Sequence, residues 1–123
     1  MEDRLLMYVI EDDARLIDAA QTIVNNQSRC GVVVSGDKVV GVISEGDVLR
    51  ALLKGAEIHS AVRNWTNHSF RFLASRDHEI AHRIMADTGI VLLPVIDEGF
   101  HLIDVITSVD LLQRLLPAEE TTV

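Results

Sequence analysis

Three short stretches of this chain carry residue types whose spacing could do chemistry. In "HEIAH", His78 to His82, the H-E-x-x-H pattern places two histidines one helical turn apart, with Glu79 between them. That is the arrangement in which two imidazoles hold a zinc ion and the glutamate activates its water. "SEGD" and "TSVD" set Ser44 three residues before Asp47 and Thr107 three residues before Asp110. A hydroxyl and a carboxylate so spaced, ahead of an apolar run, make a helix-capping pair. The same corner suits a nucleotide, because the first N–H groups of a helix and its dipole favour an anion. The hydroxyl can donate to a phosphate oxygen, and the carboxylate can accept from both hydroxyls of a ribose.

The zinc reading is the weakest of these. The extended zinc-protease pattern needs Gly at the position of Met85 and His at that of Thr88, and Glu98, a later glutamate, falls in a hairpin. Ile80, Ala81, Ile84 and Met85 mark the buried face of the helix, which puts His78 and His82 on its flank. His59, His68 and His101 do not fall into ligand spacing, and Cys30 has no catalytic partner. Neither a Walker-type phosphate loop nor a Rossmann fingerprint occurs. No catalytic residue and no metal ligand is assigned.

The elements that must position these residues are written twice. Residues 30–53, "CGVVVSGDKVVGVISEGDVLRALL", align without a gap on residues 93–116, "LPVIDEGFHLIDVITSVDLLQRLL". Val32 falls on Val95, Gly36 on Gly99, Val42 and Ile43 on Val105 and Ile106, and Asp47 on Asp110. Each copy predicts a strand (residues 7–10 and 70–73), then a helix. The first helix carries Leu16, Ile17, Ala20, Ile23 and Val24, and the second Ile80, Ile84 and Met85. Hairpins follow, over 32–35 with 38–44 around "SGDK" and over 91–97 with 100–107 around "DEGF". Closing helices are expected over 47–54 and 110–116.

The fold class is therefore α+β, from two β-α-β-β-α units at residues 1–56 and 70–118, with a linker at 57–69 and a tail at 119–123. A unit of about 50 residues cannot bury both faces of its sheet, so the copies must pack on each other pseudo-symmetrically. Gly55 serves as a helix stop, and Trp65 as an apolar anchor for the linker.

Composition narrows the function classes. Apolar residues make up 48% and aromatics 4%, so the core is aliphatic. Nineteen acidic against eleven basic residues give a net charge of −8, which argues against nucleic acid and anionic membrane as partners. The longest apolar run, Ile90 to Ile96, falls far short of the roughly 20 residues that span a bilayer. The single Cys30 cannot form an internal disulfide, and "MEDRLL" lacks the basic start of a secretory signal, so a cytoplasmic protein is expected.

Tandem β-α-β-β-α units, each passing from an apolar strand through [Ser/Thr]-x-x-Asp into a helix, resemble a pair of CBS domains, named after cystathionine β-synthase. Gly41, Ser44 and Asp47 carry the resemblance in the first copy, and Gly89, Pro94, Thr107 and Asp110 in the second. It implies a regulatory module without chemistry of its own, pairing as a homodimer. The inter-repeat clefts would bind an adenosine-containing ligand (AMP, ADP, ATP or S-adenosylmethionine) and change the behaviour of a partner or fused protein. In such a site Ser44 and Asp47, or Thr107 and Asp110, would hold phosphate and ribose. Ile10, Cys30 and Val32 would form the adenine slot of the first copy, and Leu73, Leu92 and Pro94 that of the second.

Two departures bear on the ligand. Asp104 stands where the first copy has Gly41, which casts the second site as the less accommodating. Glu45 lies beside the first phosphate position with only Arg50 close in sequence to offset it, so a monophosphate or a cationic sulfonium is expected before a triphosphate. Arg50 is also placed to pair with Asp47 one turn away. The alternative reading is a ligand-free dimerisation or docking module, using an apolar patch of Leu49, Leu52, Leu53, Leu112, Leu115 and Leu116. "GDVLRALLKG" further resembles the CBS segment found ahead of sugar-phosphate nucleotidyltransferases.

Overall fold

Two β-branched hairpins, each covered by a pair of helices, account for the chain's architecture. The structure, a computed structural model, describes residues 1–116; the tail expected at 119–123 and the end of the second unit lie outside the described residues. In order the elements are α1 (Asp3–Leu6), β1 (Val9–Glu11), α2 (Leu16–Asn26), β2 (Cys30–Ser35), β3 (Lys38–Ser44) and α3 (Glu45–Leu53). A 3-10 turn at Val62–Asn64 follows, then α4 (His78–Thr88), β4 (Leu92–Ile96), β5 (Leu102–Thr107) and α5 (Ser108–Arg114). The α+β class and the two-unit organisation stand. The four-residue α1 has no counterpart among the sequence expectations.

Strand alternation sorts the apolar side chains into three layers. Ile10, Val33 and Ile43 face Leu16, Ala19 and Ile23 of α2 and Val48 and Ala51 of α3. Leu93, Val95 and Ile106 face Ala81 and Met85 of α4. Between the sheets lies a shared layer drawn from both copies, in which Leu5, Tyr8, Cys30, Val32, Val34 and Val39 meet Leu92, Ile96, Leu102 and Val105. Neither unit could close that face alone, and their association is hydrophobic burial.

The first sheet runs β1-β2-β3, with β1 parallel to β2 and β2 antiparallel to β3. The second has only β4 and β5. The strand expected over 70–73 shrinks to one bridge, in which Leu73 N–H donates to Pro94 O and Ile96 N–H to Leu73 O, both at 2.9 Å. The next rung would need an N–H from Pro94, which proline lacks, so pairing stops.

The gapless alignment of the copies is corrected by the pairing register. Cys30 lies opposite Ser44 and Leu92 opposite Thr107, so Cys30 corresponds to Leu92, and Val32 to Pro94 rather than to Val95. The extra residue sits in the second hairpin, where Asp97 N–H reaches His101 O across a three-residue loop, Glu98 to Phe100. Ser35 pairs with Lys38 across only Gly36 and Asp37. The longer loop ends in a left-handed residue, Phe100, at φ 64°.

The linker folds back onto the first unit. Ser60 O and Ile58 O accept the N–H groups of Leu16 and Ile17, which caps α2. Trp65 packs against the helix-side core, and Asn67 pairs with Val42 along the edge of β3. No described helix is long and apolar enough to cross a membrane.

Candidate functional site

The strand-to-helix corner after β3 is built by a reciprocal cap. Ser44 Oγ accepts the Asp47 N–H at 3.1 Å, and Asp47 Oδ2 accepts the Ser44 N–H at 2.9 Å. Arg50, one turn on, pairs with Asp47 Oδ1. Thr107 and Asp110 repeat the cap at the start of α5, at 3.1 and 2.9 Å. The capping role of both pairs is thus a property of the fold, and ligand binding would be added to it.

The free donors at the start of α3 are fewer than a bare helix terminus offers. Glu45 N–H is taken by Arg29 O at 2.9 Å and Asp47 N–H by Ser44 Oγ. Gly46, without a Cβ, leaves its N–H approachable between the Ser44 hydroxyl and the Arg50 guanidinium. Any phosphate at this corner would be seated on Gly46 and side chains rather than on a row of backbone donors.

Arg29 reaches the corner because the turn ahead of β2 is tightly specified. Asn26, 7% exposed, donates from Nδ2 to Cys30 O at 3.0 Å and to Met7 O at 3.3 Å, and its Oδ1 accepts the Ser28 N–H at 2.8 Å. Gln27 and Arg29 both adopt left-handed backbone, at φ 57° and 61°. Such residues are uncommon away from glycine and gather where a side chain must be aimed. Here they turn Arg29's carbonyl to α3 and its side chain to the cleft.

The cleft itself, about 360 Å³, lies between the repeats. Arg29, Cys30, Val42, Ser44, Asp47 and Arg50 line it from the first unit, Asn67, Ser69 and Arg71 from the linker side, and Gly89 to Leu92 from the second unit. Three guanidiniums face one carboxylate. Among the described residues neither Arg29 nor Arg71 is in a salt bridge, whereas Arg50 is held by Asp47. The acidic setting expected from the charges near Ser44 in sequence is not what lines the cleft: Glu45 is not among its lining residues, and Arg29 and Arg71 arrive from segments remote in sequence. Cys30 is buried against Asp47, and that burial first, then the carboxylate's field, pushes its thiol up to about 12. It stays protonated and is part of the apolar wall.

Of the residues singled out from sequence, the structure brings Cys30, Ser44, Asp47 and Leu92 to this cleft. Ile10 and Leu73 are corrected: register places them beside Val33 and Val95, on the helix side of each sheet, facing away from it. Val32 and Pro94 share the face of Cys30 and Leu92 but lie two residues deeper, fully buried. Thr107 is 3% exposed, and neither it nor Asp110 lines this cleft. Arg29, Arg71, Asn67 and Ile90 were missed. For Arg29 and Ile90 the signal is the duplication read with the register, since Cys30 and Leu92 open corresponding strands and the residues just before each form opposite walls; Asn67 and Arg71 come from the linker side and carry no such signal.

His78, Glu79 and His82 line a separate groove between α4 and α5, facing Leu111, Leu112 and Leu115. Among the described residues no three His, Cys, Asp or Glu side chains, these included, gather into a group that could hold a metal ion.

The family model of the CBS domain matches residues 6–54 and 78–117, most of the chain. Similar solved structures include a CBS domain protein from Pyrobaculum aerophilum complexed with AMP. It is 20% identical, with 87% of this chain and 88% of that one covered and a TM-score of 0.72. The cytosolic domain of the Mg2+ channel MgtE in complex with ATP is 22% identical, with 89% of this chain and 45% of that one covered and a TM-score of 0.69. A candidate acetoin utilization protein from Vibrio cholerae is 18% identical, with 94% and 87% covered and a TM-score of 0.81. These likenesses show a common fold. No curated protein matches the chain.

Proposed function

This chain belongs to the CBS domain family, and on that premise we propose that it is a cytoplasmic sensing module, without catalysis of its own, that binds an adenine nucleotide between its repeats. The observation that carries this reading is the convergence of Arg29, Arg50 and Arg71 with the Ser44–Asp47 corner on one cavity. Similar folds bound to AMP and to ATP support it.

In this reading the adenine ring enters the apolar slot formed by Cys30, Val42, Ile90 and Leu92. Asp47 keeps Oδ2 on its own cap and offers Oδ1 to the ribose hydroxyls, which requires Arg50 to let go. Arg50 then turns to the phosphates beside Arg29 and Arg71, so one guanidinium exchanges a protein carboxylate for a ligand anion. A basic cleft favours phosphate-bearing ligands over the S-adenosylmethionine cation.

The test is calorimetry and thermal shift against AMP, ADP, ATP, GTP and S-adenosylmethionine. A ligand at a hundred times its Kd stabilises by about 2.7 kcal/mol, which is readily seen. Adenine nucleotides are expected to raise Tm and S-adenosylmethionine not to; silence from all five overturns the reading.

A second component concerns assembly. Leu49, Leu52 and Leu53 of the first unit and Leu112, Leu115 and Leu116 of the second are between 41 and 87% exposed. That much exposed leucine suits a homodimer formed through the closing helices, through which ligand binding would reach a fused or partner protein. Light scattering should give a dimer for the wild-type chain and a monomer for L53E/L115E; a wild-type monomer at micromolar concentration would count against it.

A further inference from the structure

The two repeats place different residues at one corresponding position, and a different segment crosses each. In the first unit the linker crosses β3 at Gly41. Asn67 and Val42 exchange backbone hydrogen bonds of 2.9 and 3.2 Å, and a Cβ on Gly41 would fall 2.5 Å from both Asn67 O and Thr66 Cγ2. Glycine is what permits this close approach. In the second unit the equivalent of Gly41 is Asp104, opposite Val95 in β4. The segment that crosses there is the N-terminal one, and its contact is an ion pair: Arg4 bonds Asp104 Oδ1, and Arg76 donates from Nε to Oδ2 at 2.7 Å. Backbone pairing over a glycine in one copy has become a salt bridge over an aspartate in the other.

The ion pair holds down what lies beneath it. The Asp104 side chain is 17% exposed while Arg4 and Arg76 remain half exposed, so the carboxylate is the anchored member. Val105 N–H also bonds its Oδ1 at 2.8 Å. Behind Arg4, Leu5 and Tyr8 are 2% and 8% exposed and belong to the layer between the sheets. Tyr8 shares that layer with Leu92, which lies opposite Thr107, and with Val105, on the same strand as Thr107, at the corner that corresponds to Ser44 and Asp47. Thr107 at that corner is 3% exposed, and neither it nor Asp110 lines the cleft described above or the groove between α4 and α5.

We propose that Asp104, by clasping Arg4 and Arg76, seals the second cleft with the α1–Tyr8 segment, so that the chain holds one nucleotide rather than two and Asp104 determines that number. The count rests on the nucleotide reading above; the seal does not. Removing the clasp, at Asp104 or at Arg4, would release the α1–Tyr8 segment from beside the Thr107–Asp110 corner.

The experiment pairs a binding count with a readout that needs no ligand. AMP titrated calorimetrically into the wild-type chain should give one site per chain, and into D104G or R4A two. Tyr8 is the chain's only tyrosine, so its nitration by tetranitromethane at pH 8 reports the seal directly. Local opening should make nitration roughly tenfold faster in R4A and D104G than in wild type. R4A alters an exposed side chain and serves if D104G fails to fold. Two AMP sites in the wild-type chain, or equal nitration in wild type and both variants, overturns the proposal. If no variant binds AMP, the nucleotide reading fails, and nitration alone decides on the seal.

Discussion

Asp47 is the residue at which capping and ligand binding can be separated quantitatively. Its carboxylate accepts one backbone N–H, from Ser44, and pairs with Arg50. Replacement by alanine removes a partly exposed capping hydrogen bond worth about 1 kcal/mol, which lowers Tm by about 4 °C in a domain of this size. Affinity for AMP alone is a poor gauge, because D47A also frees Arg50 to meet the phosphate, and the two effects oppose each other. The cleaner quantity is a cycle between protein and ligand: AMP against 2′-deoxy-AMP, in wild type and in D47A. Hydrogen bonds to a charged group contribute about 1.5–3 kcal/mol, so wild type should discriminate by about 10- to 100-fold. In D47A the ratio should fall to near one. The assay is isothermal calorimetry with all four combinations at one salt concentration. If D47A loses its 4 °C yet discriminates as wild type does, Asp47 is a cap only and the ribose assignment is wrong.

Three further outcomes test the scaffold. Asn26→Ala strands Ser28 N–H and the carbonyls of Met7 and Cys30, and should lower stability by about 2 kcal/mol in chemical denaturation with an unchanged m value. Gln27→Gly should raise Tm by a few degrees, about 0.5–1 kcal/mol, because Gln27 ends α2 in left-handed backbone where the second copy already has Gly89 at φ 78°. In Asp104, burial raises the carboxyl's pKa, but the Val105 N–H and the guanidiniums of Arg76 and Arg4 outweigh it and hold the group below the usual aspartate range. A carboxyl depressed in the folded state contributes stability above its unfolded pKa and loses it as pH falls through the folded value. Acid unfolding below about pH 4 should therefore be steeper in wild type than in D104N.

The sequence carried the fold far and the site only partway. Period-two alternation in "KVVGVIS" and the capping pairs at Ser44 and Thr107 are local signals, and β3 and the starts of α3 and α5 follow from them. The linker's return onto α2 and the α1 turn are tertiary, stabilised by contacts with partners dozens of residues away. The apolar wall of the cleft was half legible for a geometric reason. Which face of a strand meets the cleft depends on register against its neighbour, and a one-residue error moves every side chain to the other face. Register puts Ile10 and Leu73 on the helix side of their sheets, and Cys30 and Leu92 on the cleft side. The arginines escaped notice because Arg29 is aimed by left-handed backbone and Arg71 comes from beyond the linker. Charge counted along the chain near Ser44 therefore gave the wrong sign for the cleft.

Phe100, in the longer hairpin of the second copy, offers its carbonyl to the Val39 N–H of the first at 2.8 Å. Together with the layer of side chains between the sheets, that bond makes the duplicated chain one cooperative unit. Splitting it at the linker would leave each half with a bare apolar sheet face and no rest state of its own. Heat or denaturant should then melt both copies in one transition. Leu92 of the second copy and Asp47 of the first line one cavity, so its two walls exist only as long as the halves stay joined.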